Sequence, residues 1–202
     1  MNAGLTSERV LDALRRALLE HRFRPGERLD PAPLATTLAS SVTPVREALY
    51  VLAGEGLVET RTSDGFHVPQ LDEPALRDRY QWNGQVARLA IGSREPRIAS
   101  PADAEPDDLA DRAAATMARI AQLSGNIELH RAMASLNARL HAARTIESEV
   151  LSDIPQELAQ IHGALAADDR PALRKLVSAY CSRRERAAAV ILRALYRMPT
   201  AS

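Results

Sequence analysis

The sequence predicts a mostly α-helical protein in which an N-terminal winged helix-turn-helix precedes an all-helical antiparallel bundle. Two observations predict the first part: apolar side chains at helical spacing in two short segments of residues 31–54, and a strand, turn and strand pattern directly after them. A third predicts the bundle. Beyond residue 75 the apolar residues keep a helical period, and only 3% of the chain is aromatic.

The first predicted helix follows a short N-terminal segment, residues 1–6, which we expect to be frayed. Ser7 is of a type that caps helix N-termini. The apolar residues after it predict one buried stripe, made of Val10, Leu11, Leu14, Ala17 and Leu18. We expect this helix to pack beneath the second helix of the helix-turn-helix.

Residues 30–54 predict two short helices joined by a tight link at residues 39–41. Asp30 is the expected N-cap of the first helix, and Pro31 its first residue. Ser41 or Thr43 is the expected N-cap of the second helix, whose first turn tolerates Pro44. The apolar stripe of that helix is Val45, Ala48, Leu49 and Leu52, and its opposite face carries Thr43, Arg46, Glu47 and Tyr50. A second helix presented in this way can lie in a DNA major groove.

A β-hairpin is predicted directly after the second helix. Residues 57–60 read as one strand, residues 63–65 as the turn and residues 66–68 as the returning strand. Asp64 followed by Gly65 is among the strongest short signals for a hairpin turn. A helix-turn-helix followed by a hairpin is a winged helix.

A change of pattern near residue 70 predicts the domain organisation. Residues 70–74 carry acids and a proline without apolar periodicity, so they are the predicted linker between domains at 1–69 and 75–202. In the second domain, helices are expected over 75–91, from Ser100 and Pro101 to 123, from 127 to about 151, from Asp153 onward, and from Asp169 to about 196. Short connections imply antiparallel neighbours.

A set of short motifs covers the first third of the chain. In order, they are Phe23, PGERL at 25–29, Leu34 with Ala35, TPVREAL at 43–49, Leu52, GEGLVE at 54–59, and Gly65 with Val68. This combination resembles the GntR family of bacterial transcription regulators. The resemblance implies a winged helix that binds double-stranded DNA, with a homodimer reading a pseudo-palindromic operator.

The resemblance assigns DNA contacts to the second helix of the motif. Arg46 is the expected base-reading residue, since the family's TPVRE arginine reaches guanine and arginine commonly pairs with guanine O6 and N7. Its alternative is a solvated side chain paired within its own helix. Ser41 and Thr43 are expected at phosphates, with helix capping as the alternative. Val42 replaces an arginine usual in the family, and could instead meet a thymine methyl group.

The wing adds two candidate contacts and one departure from the family. Gly65 either allows close approach to a minor groove or only supplies a positive φ. Arg61 could lie along a phosphate. Asp64, where the family often has a basic residue, places a negative charge near phosphates. Together with Val42, it suggests a shifted operator sequence or weak binding.

A second pattern lies within residues 76–197. It consists of Tyr80, ARLA at 87–90, Asn137 with Leu140 and His141, and Glu157, Ala164, Leu165, Asp169 and Ala172. The pattern resembles the FCD subfamily of the same family. Many FCD domains hold a divalent metal through an Asp or Asn, a His four residues later and two further histidines, and the metal helps to bind a small carboxylate effector.

The expected metal ligands are incomplete in this chain. Asn137 and His141 match the first pair, and their i, i+4 spacing puts both on one helix face. The two further histidines fall on Leu158 and Tyr180, of which leucine cannot ligate a metal and tyrosine is a rare ligand. Asn126 and His130 show the same spacing of an Asn and a His four residues later. If they are aligned with the family's first pair instead, Leu158 and Tyr180 still fall at the positions of the two further histidines. We therefore predict no metal cofactor and a shortened, degenerate FCD-like domain.

A small-molecule effector remains the expected ligand of the helical domain. The predicted contact residues are Arg79, Trp82, Asn83, Asn137, His141 and Tyr180. Either Arg79 or Asn83 falls where the family has its effector-binding arginine. Trp82 could line the pocket, or form a core or dimer contact.

Charge and composition limit the other possibilities. The chain has 26 basic and 26 acidic residues, so net charge gives no nucleic-acid signal. Cys181 is the only cysteine, which fits a reducing compartment, and no apolar run approaches the ~18 residues of a membrane-spanning helix. We expect a soluble cytoplasmic protein without membrane contact. The arginines at 183, 184 and 186 are expected to form a solvated helix face.

The residues therefore predict a ligand-responsive repressor that binds its operator as a dimer. The alternative is a degenerate paralogue that dimerises and binds DNA or a partner but senses no ligand. We do not expect an enzyme, because no nucleophile, acid pair or phosphate loop accompanies His130, His141 or His162.

Overall fold

The structure is a computed structural model that describes residues 3–20, 22–62, 64–93 and 106–197. The chain divides into two compact units, Met1–Leu71 and Asp72–Arg197. Among the described residues, the first unit holds three helices and three short strands, and the second holds five helices. The predicted fold class is confirmed. Where each predicted domain ends along the chain stays a prediction.

In the first unit, helix α1 (Ala3–Leu19) packs against helix α3 (Val42–Gly54), as predicted. Val10 and Leu14 of α1 are almost completely buried. The helix begins ahead of Ser7, the predicted N-cap, because no proline interrupts residues 3–6 and a helix can extend past a possible cap. The Ser7 hydroxyl lies 3.5 Å from a carboxylate oxygen of Glu47 on α3.

Helix α2 (Pro31–Thr37) and α3 form the helix-turn-helix. Asp30 caps α2 as predicted, since its Oδ1 accepts a hydrogen bond from the N–H of Ala32 at 3.1 Å. Ala39 has a left-handed φ of 47°, which turns the chain between the two helices. Ser41 occupies the N-cap position of α3, but its side chain makes no capping hydrogen bond. Its hydroxyl is therefore not committed to the helix.

The wing is a three-stranded antiparallel sheet. Its strands are β1 (Arg28–Leu29), β2 (Glu59–Arg61) and β3 (Gly65–His67), in the order β1-β3-β2. Strand β1 is absent from the sequence-based prediction, because two residues are too few to show an alternating pattern. It adds Arg28 to the edge of the wing, opposite His67.

The first strand of the hairpin begins later than predicted. The N–H groups of Leu57 and Val58 both donate to the carbonyl of Leu52 at the end of α3, at 2.9 and 3.3 Å, so they are not available to the sheet. Both side chains remain buried. Ser63 in the predicted turn lies outside the described residues.

The second unit contains five helices in its described residues. They are α4 (Glu73–Gly92), α5 (Leu109–Ala121), α6 (Ile127–Val150), α7 (Ile154–Ala166) and α8 (Arg170–Leu195). Helix α4 begins two residues before the predicted start, because Asp72 caps it by accepting from the N–H of Ala75 at 2.8 Å. Asp108 caps α5, whereas the predicted start at Ser100 and Pro101 lies outside the described residues. None of the helices described is long and apolar enough to span a membrane.

Two contacts show that α4 and α6 run in opposite directions. The Tyr80 hydroxyl of α4 donates to Glu147 Oε1 near the end of α6 at 2.7 Å. One turn later on α4, the Asn83 amide lies 3.2 Å from the sulfur of Met133 near the start of α6. A later residue of α4 thus meets an earlier residue of α6.

Helix α8 is also antiparallel to α4. The Arg170 guanidinium, at the start of α8, donates to the carbonyl of Ile91 at the end of α4, at 2.8 Å. The Cys181 thiol, further along α8, lies 3.9 Å from Asn83 Oδ1 in the middle of α4. Because α6 and α8 both oppose α4, they run in the same direction.

Candidate functional site

The exposed face of α3 presents the polar side chains that the sequence assigns to a groove-reading helix. Ser41, Val42 and Thr43 at its N-terminus and Arg46 one turn later are all exposed. The opposite face is completely buried at Val45 and its neighbours Leu49 and Leu52. The apolar stripe thus anchors the helix and leaves the other side free for a ligand.

Arg46 borders an open groove of about 440 Å³ between α3 and the wing. Arg28 and Arg61 also line this groove, so three arginines border it. No other described residue forms a hydrogen bond or ion pair with Arg46. The alternative in which Arg46 is paired within its own helix is therefore not observed.

An aromatic contact fixes the wing against α3. The rings of Tyr50 on α3 and Phe66 on β3 lie 4.9 Å apart between centroids, at 75° to each other. Such edge-to-face pairs add to the stability gained by burial. The contact holds the two walls of the groove together.

The wing residues differ in how free they are. Arg61 is exposed but donates Nε to Glu59 Oε1 at 2.8 Å, so a phosphate contact would compete with this ion pair. Gly65 has φ of 82°, and a Cβ built on it would meet nothing within 4 Å. Both alternatives for Gly65 therefore stay open.

The carboxylate of Asp64 is shared between two basic side chains. One oxygen lies 3.7 Å from an Arg28 guanidinium nitrogen, and the other lies 3.1 Å from Nε2 of the buried His67. The expected negative charge at the wing tip is thus partly balanced within the wing. Repulsion of DNA phosphates by Asp64 should be weaker than the sequence suggests.

In the helical unit, Asn137 of α6 holds Arg144 of the same helix. The Arg144 Nη1 group donates to Asn137 Oδ1 at 2.9 Å, and the Asn137 amide donates to the carbonyl of Ala114 on α5 at 2.8 Å. Arg144 is only 2% exposed, and its Nε and Nη2 atoms have no partner among the described residues. A buried cation with unused donors therefore lies beside a predicted effector residue.

Arg184 of α8 is completely buried, so the prediction that it lies on a solvated face is wrong. Its Nε donates to Glu147 Oε2 at 2.7 Å, and its Nη1 donates to Glu157 Oε2 at 2.8 Å. Burial by itself would lower the pKa of Arg184, but Tyr180 and the two carboxylates outweigh it and raise the pKa. These partners come from α6 and α7, and the spacing of residues along α8 could not reveal them.

Tyr180, another predicted effector residue, lies in the same interior. Its ring is 3.3 Å from the Arg184 guanidinium carbon, and its hydroxyl has no partner among the described residues. Burial, with a smaller effect of Glu147, raises the pKa of Tyr180 to about 12. The phenol is therefore protonated at neutral pH and can donate a hydrogen bond.

The divalent metal that the FCD resemblance implies does not fit these residues. Asn137 already uses both ends of its amide, and the guanidinium of Arg144 beside it would repel a divalent cation. Leu158 and the protonated Tyr180 occupy the positions of the further ligands, which leaves His141 alone. Within the described ranges, no three His, Cys, Asp or Glu side chains form a group that could hold a metal ion.

The remaining predicted effector residues on α4 are dispersed. Arg79 donates to the carbonyl of Arg139 at 2.9 Å, and burial, followed by the charge of Arg139, lowers the pKa of Arg79 to about 10. Asn83 is completely buried against Met133. Trp82 is 49% exposed, so the core alternative for this residue is wrong. Of the three, Asn83 lies nearest the interior of the bundle.

Two histidines of the helical unit face α5. His141 Nδ1 lies 3.6 Å from a carboxylate oxygen of Asp111. Burial lowers the pKa of His141 below its usual 6.5, although Asp111 opposes this effect. His162 Nε2 lies 2.7 Å from the hydroxyl of Thr116. Each imidazole thus has a partner on the neighbouring helix.

Arg144 is the candidate functional residue that the sequence analysis misses. The sequence feature that could have identified Arg144 is its position in α6. It lies seven residues after Asn137 and on the same buried stripe as Leu136, Leu140 and Ala143. A charged residue on an apolar stripe must find a partner or a ligand, because burying an unpaired charge is costly.

Known proteins resemble this chain in both sequence and fold. Residues 6–68 match the family described as "Bacterial regulatory proteins, gntR family". The Nta operon transcriptional regulator of Aminobacter aminovorans is 31% identical over 144 residues, which cover 64% of this chain and 69% of that protein. This relationship extends well beyond the winged helix.

Two solved structures share the fold over almost the whole chain. A GntR structure from Rhodococcus sp. RHA1 has a TM-score of 0.70 at 22% identity, and covers 93% of this chain and 98% of its own. E. coli McbR/YncC has a TM-score of 0.63 at 22% identity, with coverage of 95% and 99%. At these identities, the likeness establishes the architecture alone.

Proposed function

Because the chain belongs to the GntR family of bacterial regulatory proteins, we propose that it is a ligand-responsive repressor whose homodimer binds a pseudo-palindromic DNA operator. DNA binding resides in the winged helix, and the helical unit, which we assign to the FCD subfamily, controls it. Operator DNA lies in the cytoplasm of bacteria, which is the compartment this function requires.

The unpartnered Arg46 is the observation that carries the DNA-binding proposal. It projects from the exposed face of α3 into the groove that α3 and the wing form. A guanidinium that is not paired within the protein can make a bidentate bond to guanine O6 and N7 without first breaking another bond. Val42, at 39% exposure, lies one turn earlier and can contact a thymine methyl group.

Selection of operator sequences from random DNA, followed by affinity measurements, tests this role. Arg46→Ala should cost about 1–3 kcal/mol in operator affinity and relax the preference at one base pair. Arg16→Ala is the control, because Arg16 is an exposed arginine of α1 and its loss removes the same charge. If Arg46→Ala keeps the affinity and the base preference of the wild type, Arg46 does not read bases.

We include a homodimer in the proposal because one helix reads too few base pairs for useful specificity. Two recognition helices related by a two-fold axis would contact half-sites about one helical turn apart. Sedimentation of the free protein and footprinting of the selected operator test this point. A monomer that protects a single asymmetric half-site would refute it.

Ligand response rests on the interior of the helical unit, where Asn137 and Tyr180 lie with Arg144. A ligand that binds one arrangement of the dimer more tightly than another can change the free energy of DNA binding by at most the difference between its two binding free energies. The non-sensing paralogue is the second candidate, and it is favoured by Leu158 and Tyr180, which stand where the family has two metal-binding histidines. Melting temperatures in a screen of organic acids separate the two, since a ligand of the native state raises the melting temperature.

A further inference from the structure

Tyr50 on α3 and Thr60 on β2 line the groove between α3 and the wing from its two sides. Thr60 pairs directly with Phe66 of β3, and directly paired residues of antiparallel strands point to the same face of the sheet. That face is turned toward α3, because the ring of Phe66 contacts the ring of Tyr50. The side chain of Thr60 therefore points into the groove that Tyr50 borders on the other side.

The hydroxyl groups of these two residues are not used within the protein. In the described part of the chain, no residue forms a hydrogen bond with the hydroxyl of Tyr50 or of Thr60, and both side chains are exposed. The threonines of α2 differ, since Thr36 and Thr37 donate to carbonyls of their own helix at 3.3 and 3.1 Å. The groove thus presents one uncommitted hydroxyl group on each wall.

Both side chains are held in place before any ligand binds. The edge-to-face contact with Phe66, at 4.9 Å between ring centroids, orients the ring of Tyr50. Thr60 is β-branched, which restricts its χ1 angle. A side chain that is already oriented loses little conformational entropy on binding. The groove is therefore suited to a ligand that carries several hydrogen-bond acceptors in fixed positions.

The DNA partner of a winged helix brings such a ligand to this place. If Arg46 of α3 reads the major groove and Gly65 at the wing tip meets the minor groove, one sugar–phosphate strand has to cross the space between α3 and the wing, because that strand separates the two grooves. Its phosphate oxygens accept hydrogen bonds, and hydroxyl side chains commonly donate to them. Contacts of this kind fix the register of a protein on the duplex without reading the sequence.

We propose that Tyr50 and Thr60 hold one phosphodiester strand of the operator in the groove between α3 and the wing, by donating hydrogen bonds to its phosphate oxygens. They are positioning residues, since they set the depth at which α3 lies and so determine which base pair Arg46 meets. Neither residue is among those that the sequence assigns to DNA contact. This inference rests on the proposed function, because it takes operator DNA as the ligand of the groove.

Affinity for the selected operator, measured by fluorescence anisotropy at a series of salt concentrations, tests the two hydroxyl groups. Tyr50→Phe keeps the ring, and Thr60→Val keeps the branched shape. We expect each variant to bind about fivefold or more weakly, since both half-sites lose a hydrogen bond to a charged oxygen. The base preference and the slope of log affinity against log salt should stay as in the wild type, because no charge is removed. Tyr196→Phe, at an exposed tyrosine that follows α8, is the control and should bind as the wild type does.

Operators that carry single methylphosphonate groups locate the contacts, since each group replaces a charged phosphate oxygen by a methyl group. Wild-type binding should weaken at positions on the strand between the two grooves. Tyr50→Phe should be less sensitive than the wild type at one of these positions, and Thr60→Val at another, because the variant and the modified phosphate remove the same bond. A merely structural effect of either variant would leave the pattern of sensitive positions unchanged. Circular dichroism and urea unfolding check that the variants are folded.

The proposal is overturned if the wild type binds its operator and either folded variant binds equally well, or binds more weakly with the wild-type methylphosphonate pattern. It is also overturned if the variants change the base preference, since the hydroxyl groups would then read bases. If one variant does not fold, the other decides. In all these cases Arg46→Ala still tests the proposed function separately. A wild-type chain that selects no operator would overturn the proposed function, and this inference with it.

Discussion

The Nε atom of Arg184 donates to Glu147 Oε2 at 2.7 Å, between side chains that are 0% and 2% exposed. The Tyr80 hydroxyl satisfies the other oxygen of the same carboxylate at 2.7 Å. One buried carboxylate thus joins three helices, α4, α6 and α8. A network of this kind specifies how helices align, because each member is costly to bury alone.

Removal of one partner should therefore destabilise the protein strongly. We expect Arg184→Met to lower the free energy of unfolding by about 3–5 kcal/mol, because it leaves Glu147 buried without its cation. Urea unfolding followed by circular dichroism measures the change. Arg186→Met, at an exposed position of the same helix, should stay within about 0.5 kcal/mol of the wild type. A loss at Arg184 no larger than that of the control would show that the network adds nothing to stability.

The wing carboxylate offers a prediction about DNA affinity. Asp64→Asn removes a negative charge from the wing and releases Arg28, which lies 3.7 Å away. We expect tighter DNA binding, with a slope of log affinity against log salt that is steeper by about one unit, since one more cation can reach a phosphate. Asp12→Asn, at an exposed carboxylate of α1, is the matched control. An unchanged slope for Asp64→Asn would mean that Arg28 does not reach the DNA.

Much of the fold follows from local sequence signals. Asp30 with Pro31 and Asp169 with Pro171 mark helix starts correctly, because caps act over only a few residues. The start of β2 and the existence of β1 could not be predicted in this way. Strand β1 depends on its pairing with β3, which lies far along the chain. The start of β2 depends on the bonds from residues 57 and 58 back to the carbonyl of Leu52, which no residue type in this segment signals.

The candidate sites were only partly predictable, for a related reason. The exposed face of α3 follows from helical periodicity, which places Arg46 opposite Val45. The interior of the helical unit does not follow from it. Arg184 lies on the buried stripe of α8, but the carboxylates that neutralise it come from two other helices, and only tertiary packing brings them to it.

His141 should make the stability of the protein depend on pH. Burial lowers its pKa in the folded chain below the usual 6.5, so between the two values the unfolded chain binds more protons. The contribution of His141 to the free energy of unfolding is therefore fully present above about pH 6.5. It is lost as the pH falls from there toward the pKa of His141 in the folded chain. Urea unfolding at a series of pH values measures the free energy of unfolding. His141→Gln should make that free energy less dependent on pH below about pH 6.5. A variant with the same pH dependence as the wild type would assign the effect to another group.

Cys181 should be unreactive in the folded protein. The thiol is 3% exposed, and burial raises its pKa to about 12, so almost none of it is thiolate at pH 8. We expect a thiol-specific reagent such as Ellman's reagent to label the native chain far more slowly than the urea-unfolded chain. The unfolded chain is its own control for reagent access. Equal labelling rates in the two states would contradict the burial of the Cys181 thiol.

Two glycines should respond in opposite directions to the same change. Gly65 has φ of 82°, where an alanine is strained, so Gly65→Ala should cost about 1–2 kcal/mol although its methyl group has open space. Gly54 ends α3 without a positive φ and with open space, so Gly54→Ala should gain up to about 1 kcal/mol from helix propensity. Urea unfolding compares the two variants.

Operator affinity, measured where both variants are folded, then separates the two explanations for the glycine at the wing tip. If the DNA backbone approaches Gly65 closely, the methyl group added by Gly65→Ala must lower operator affinity well beyond any effect of Gly54→Ala. If operator affinity is unchanged, the positive φ alone accounts for the glycine, since the methyl group then meets neither protein nor DNA.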